Sequence, residues 1–238
     1  MSMERLIENT RAGQRCPKPL ADIKQPHCGG KEINVLVLGK RSVGKTALIV
    51  RYLTKRFIGD YNSELEILYS HCTVIDGKHV TLHIIDTLGQ VKKEDVSEEQ
   101  VKWADCVVIV YAIVDRNSFD IARSIAEHIQ IMREDNQVPI GIVANKSDLI
   151  DRKEVSDTDL SRTCAEFNLL YFETSASEAR ASVLEVFTVL ARQVRMIMKK
   201  REKLTRFMSN PAVAAKLQIQ QSLRSLAEKT WRSRTSTL

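Results

Sequence analysis

The chain has 238 residues, 43% apolar and 28% charged, the make-up of a soluble globular protein whose length fits one ordinary domain with extensions. No apolar run approaches the roughly 20 residues that a bilayer-spanning helix needs, and the start, MSMERLIENT, has neither a secretory-signal pattern nor a myristoylation glycine. The net charge of +6 divides into +2 over residues 1–32, −6 over 33–191 and +10 over 192–238, so attraction to acidic surfaces belongs to the C-terminal end.

Residues 1–32 contain Pro17, Pro19, Pro26 and the Gly29-Gly30 pair without a sustained period, and read as a disordered leader. A domain over 33–198 follows. It opens with the apolar strand "INVLVL" and a helix over about Lys45 to Phe57. Two strands, "LYSHCTVI" and "HVTLHII", join at Asp76-Gly77, a strong hairpin signal. Then come "CVVIVYAI", a helix near Ser118 to Glu134, "PIGIVAN", a helix near Asp157 to Glu166, "LLYFET", and a long helix from about Ser182 past Met198. Short apolar strands between helices predict a sheet covered on both faces: an α/β, doubly wound, mostly parallel six-stranded sheet with one antiparallel hairpin strand.

Residues 199–238 form a basic tail in which Pro211 follows the cap residue Asn210, and Ala212, Ala215, Ile219, Leu223 and Leu226 recur at helical spacing. The readings are a second amphipathic helix or an exposed, partly folded end. With Arg192, Arg195, Lys199, Lys200, Arg201, Lys203 and Arg206 close together, reversible contact with acidic membrane or nucleic acid is expected there. "RTSTL" has no cysteine to prenylate, so no lipid anchor is expected, and the chain is expected in the cytoplasm or nucleus. Five scattered cysteines point to reduced thiols.

The chemistry lies in four segments. In "GKRSVGKT", between strand and helix, Gly39 and Gly44 let the backbone of Lys40, Arg41, Ser42 and Val43 wrap phosphate, and the helix beginning at Lys45 adds its positive end. Lys45 would reach the β and γ phosphates, and Thr46 would offer its hydroxyl to Mg2+. "DTLGQ" ends a strand: Asp86 is the second candidate metal ligand, the Gly89 N–H would meet a γ-phosphate, and Gln90 would orient an attacking water. "ANKSD" sets Asn145, Lys146 and Asp148 at a strand's carboxyl end, where ligands bind in open α/β sheets. The acceptor-only carboxylate of Asp148 suits the paired guanine donors, which adenine lacks. "ETSAS" brings Ser175 and the Ala176 N–H toward the base.

In this order and spacing the four segments resemble the small GTPases of the Ras superfamily, and "RYLTKRFIGDY" is similar to an atypical, unprenylated branch that includes the Ras-related oestrogen-regulated growth inhibitor. The resemblance covers about residues 33–191. It implies a P-loop G domain, bound GTP or GDP with Mg2+, Phe57 flanking the guanine, and protein effectors and regulators read through residues 58–69 and 86–100. A monomer is expected.

Departures from that pattern bear on turnover. Glu64 stands where the family has a magnesium-binding threonine, Leu88 and Ser177 replace a small residue and a lysine, and Arg41 occupies the place of a glycine. Gln90 and Lys45 are the candidate catalytic residues. The expected function is a GTP-hydrolysing signalling switch of slow or impaired rate, the alternative a nucleotide-bound interaction protein that hardly cycles.

Overall fold

The computed structural model describes residues 29–56, 66–133 and 138–209. Its strands are β1 (Lys31–Leu38), β2 (Ile67–Ile75), β3 (Lys78–Asp86), β4 (Cys106–Ala112), β5 (Ile140–Asn145) and β6 (Leu170–Glu173). Its helices are α1 (Lys45–Thr54), α2 (Glu98–Trp103), α3 (Arg116–Met132), α4 (Asp157–Glu166) and α5 (Arg180–Met208). The sheet order is β2-β3-β1-β4-β5-β6, with β2 antiparallel to β3 and the remaining pairs parallel. This is the doubly wound sheet that the alternation of strands and helices predicts.

Period-two alternation sorts the strand residues into two cores. Ile33, Val35 and Val37 of β1 and Val108 and Val110 of β4 face Leu48 and Ile49 of α1 and Val186, Phe187 and Leu190 of α5. Their neighbours Leu36, Leu38, Val107 and Ile109 face the other way, onto Phe119, Ala122 and Ile125 of α3 and Leu160 of α4. Because β1 and β4 are buried on both faces they read as unbroken apolar runs. Tyr52 stacks on Phe187 with ring centroids 4.2 Å apart, joining α1 to α5.

The β2–β3 turn has positive φ at both Asp76 (52°) and Gly77 (69°), as a two-residue hairpin of this hand requires. Asp76 accepts a bond from Arg192 Nε at 2.9 Å and lies 3.7 Å from Arg195 Nη1, while Arg195, only 6% exposed, donates to the Ile75 carbonyl at 2.6 Å. Two arginines grouped by sequence with the tail expected to bind anions are therefore engaged within the domain. Among the described residues Cys106 and Cys164 are free thiols. The leader through residue 28, Phe57 and Glu64 of the first switch, and the proposed helix beyond Asn210 lie outside the described residues.

Helix α2 has no counterpart in the sequence reading, although "SEEQ" has the spacing of a capping box, and the Ser97 hydroxyl does accept a bond from the Gln100 N–H. Gln100 then donates to Glu66 at 2.9 Å, tying the entry of β2 to the second expected partner-reading segment.

Candidate functional site

The site is the rim formed by the carboxyl ends of β1, β3, β5 and β6. Its phosphate side begins where β1 turns at Gly39 and α1 starts at Lys45. Lys45 is buried, its ammonium donating to the carbonyls of Gly39 at 2.8 Å and Lys40 at 3.3 Å. Burial pulls its pKa down to about 8, against the opposing charge of Asp86.

Thr46 donates its hydroxyl to Asp86 Oδ2 at 2.7 Å, and Asp86 is itself only 3% exposed. Its other oxygen, Oδ1, is buried without a hydrogen-bond partner among the described residues, and burial raises its pKa. A buried carboxylate oxygen left unmatched beside a hydroxyl fits a hard cation that takes oxygen ligands, such as Mg2+. Thr46 and Asp86 are the residues that could hold it.

The loop's second residue points elsewhere. Lys40 Nζ lies 2.8 Å from Asp115, the N-cap residue of α3. This anchor was not foreseen, because nothing in the sequence links residues 40 and 115 before the fold brings β4 beside β1. Arg41 and Ser42 are exposed, and Ser42 holds a positive φ of 67°.

Gln90 is buried. Its Oε1 accepts from the Gly39 N–H at 2.8 Å, its main-chain N–H returns a bond to the Gly39 carbonyl at 3.2 Å, and Nε2 donates to Thr87 Oγ1 at 3.1 Å and the Leu88 carbonyl at 2.6 Å. Thr87 is fixed in turn by donating to the Val37 carbonyl at 2.7 Å. Gly89 is pressed on the phosphate loop: a Cβ there would come within 2.5 Å of the Arg41 backbone and 2.6 Å of Arg41 Cβ. The "DTLGQ" segment thus lies against the loop at the position of Arg41, with the Gln90 amide used up in holding it.

The base side is wired through Asn145, which is 2% exposed. Its Nδ2 donates to the Val43 carbonyl at 2.8 Å, and its Oδ1 accepts from the Ala176 N–H at 3.2 Å and the Thr174 hydroxyl at 3.3 Å. One amide therefore staples the phosphate loop to the loop after β6, and the Ala176 N–H expected to face the base is here donated to that amide. Lys146 takes a left-handed φ of 65° so that the next turn can start, and the Ser147 N–H bonds the Thr174 carbonyl. Asp148 is exposed, with Oδ1 accepting from Ser175 Oγ at 2.7 Å, and Ser175 Oγ is 2.8 Å from Ser177 Oγ. Ser177, seen in the sequence only as a departure, extends this network.

The Ras family model matches residues 34–196. The chain belongs to the Ras family. Among similar proteins, the Ras-like protein family member 11A-like of Danio rerio is 40% identical over 172 residues, covering 69% of this chain and 68% of that protein. The Ras-like protein family member 11B of Xenopus tropicalis is 40% identical over 168 residues, 68% of each chain, and member 11A of Rattus norvegicus 34% identical over 192 residues, 78% and 79%. This Ras-family chain is a small GTP-binding signalling protein, and proteins of this family bind GTP or GDP with Mg2+ and meet effectors and regulators in general.

Proposed function

We propose that the protein is a guanine-nucleotide switch whose GTP turnover is slow. The observation that carries this reading is the contact between Gly89 and Arg41 together with the burial of the Gln90 amide against Gly39. Hydrolysis needs a glutamine and a water aligned behind the γ-phosphate. A side chain that already makes three bonds to Gly39, Thr87 and Leu88 must give them up before it can do that, and the Arg41 side chain must clear the same space.

In this reading Asp148 accepts the paired guanine donors, Asn145 and Ala176 hold the loops around the base, and Lys146 lends its stem to the ring. Amides from Gly39 to Gly44 and the Lys45 ammonium bind the phosphates, while Thr46 and Asp86 hold Mg2+, which when bound neutralises phosphate charge. Residues 58–69 and 86–100 meet protein partners. The basic C-terminal end makes reversible contact with an anionic surface.

The second reading, a nucleotide-bound interaction protein that hardly cycles, is favoured by the same buried Gln90. One experiment separates the two. The purified protein is denatured, the released nucleotide is identified by chromatography, and single-turnover GTP hydrolysis is followed on reloaded protein. Guanine nucleotide and a measurable rate below the roughly 3–5 × 10⁻⁴ s⁻¹ of unassisted Ras are expected of the slow switch, whereas bound guanine nucleotide with no detectable turnover would select the interaction protein. Released adenine nucleotide would refute the guanine assignment, and hydrolysis as fast as Ras would refute the slow switch.

A further inference from the structure

At the end of the sheet away from the phosphate loop, the start of β1, the β2–β3 turn and α5 enclose a cleft of about 590 Å³. Its side chains are those of Lys31, Lys78, His79, Arg195 and Lys199, and glycines supply the rest of the lining. No aliphatic side chain contributes, so the cleft offers nothing to an apolar ligand or to the side chains of a docked peptide. A Cβ on Gly30 would fall 1.9 Å from the His79 carbonyl oxygen, so the entry to β1 lies directly on the β3 backbone and the two walls are fixed against each other.

The cations fall into two pairs. Arg195 is committed to Ile75 and Asp76, and Lys31 lies 2.5 Å from Glu202. Lys78 and Lys199 are exposed and have no ion-pair partner within bonding distance among the described residues. Asp76 and Glu202 feel the charge of Lys199 but are bonded by the arginines and by Lys31, so the ammoniums of Lys78 and Lys199 remain unbonded beside the cleft.

We propose that this cleft binds a small ligand carrying two or more phosphate groups, held chiefly by Lys78 and Lys199 and oriented by His79. A single phosphate against one exposed ammonium is held only weakly in water, so cations converging from three elements select a polyvalent anion over a simple one. The shared chemistry is that of a soluble inositol polyphosphate or a phosphoinositide headgroup. A nucleic acid strand fits less well, because the lining has no aromatic platform beyond one imidazole for its bases. The proposal narrows the anionic contact of the C-terminal end from diffuse charge to a built cleft. It does not depend on the nucleotide reading, since the cleft and the phosphate loop sit at opposite ends of β1, roughly 25 Å apart for a strand of 8 residues.

The test uses the full chain loaded with GDP. Calorimetry with inositol trisphosphate is paired with co-sedimentation on phosphatidylcholine vesicles containing phosphatidylinositol bisphosphate, or phosphatidylserine at equal total charge. Lys78→Glu with Lys199→Glu removes the unbonded pair, and Lys203→Glu with Arg206→Glu makes the same charge change on exposed positions of α5 outside the cleft. Expected are saturable trisphosphate binding, a loss of at least about tenfold in the cleft variant, little change in the control, and GDP retained by both. Preference for phosphoinositide over phosphatidylserine vesicles assigns the ligand to the lipid, and saturable trisphosphate binding without that preference assigns it to the soluble anion. Equal losses in both variants would show diffuse charge and overturn the cleft. So would absence of saturable trisphosphate binding, or tighter binding of a single-stranded oligonucleotide that the trisphosphate fails to displace.

Discussion

The two halves of the nucleotide rim are built to different plans. On the base side the buried Asn145 amide ties the phosphate loop to the loop after β6, and Asp148 stands exposed beside Ser175 and Ser177 with its acceptor geometry set. On the phosphate side the "DTLGQ" segment is folded onto the loop, Gly89 touching Arg41 and Gln90 spent on Gly39. In the proposed switch, retaining a nucleotide and responding to its third phosphate fall to separate sets of contacts, and one can weaken while the other persists.

The comparison breaks most severely at Asn145. Asn145→Ala leaves the Val43 carbonyl and the Ala176 N–H without their partner, and each buried polar group stranded in this way costs about 1–3 kcal/mol. Thermal unfolding should show a clear loss of stability together with loss of nucleotide. Asp148→Ala sharpens the contrast, because that side chain is exposed: affinity for GDP and GTP should fall by at least about tenfold, read by displacement of a fluorescent nucleotide, while the unfolding midpoint of the nucleotide-free protein stays put. Unchanged affinity would mean the base contact has been assigned to the wrong residue.

On the other half, Arg41→Gly should raise single-turnover GTP hydrolysis several-fold without altering GDP affinity, by removing the Cβ that meets Gly89. A fall in rate would instead identify Arg41 as a stabiliser of charge on the γ-phosphate. The smallest effect is expected far from the rim. Asp76→Asn should lower the melting temperature by less than about 4 °C at neutral pH. Its bond to Arg192 holds the carboxyl below the ordinary carboxylate range. The stabilisation is thus present above the unfolded-state pKa and lost as pH falls through the lower folded-state value, so parent and variant should converge in acid. Melting curves between neutral pH and pH about 3 check the sign.

Much of this architecture is legible in the sequence because its cues are local. The Asp76-Gly77 turn, the apolar runs of β1 and β4, and the strand-loop-helix setting of "GKRSVGKT" each specify themselves within about ten residues. What was missed is contact between segments. The Lys40–Asp115 pair, the hold of Gln90 on Gly39, and the clasp of Arg192 and Arg195 on Asp76 join residues distant in sequence, and a charged side chain carries no local mark of its partner. Helix α2 is different, since its capping signal was present at Ser97 to Gln100, but six residues are too few to show a helical period against the charged stretch before them.

Helix α5 is 29 residues long, about 43 Å at a rise of about 1.5 Å per residue, and its middle is fastened to the hairpin tip by two arginines while Glu202, a turn and a half from its end, meets Lys31 at the start of β1. A rod pinned at two levels has a fixed bearing as well as a fixed reach. Any surface that captures its basic end therefore sets the azimuth of the whole domain, and with it the direction in which the nucleotide rim and the segments proposed to meet partners are presented.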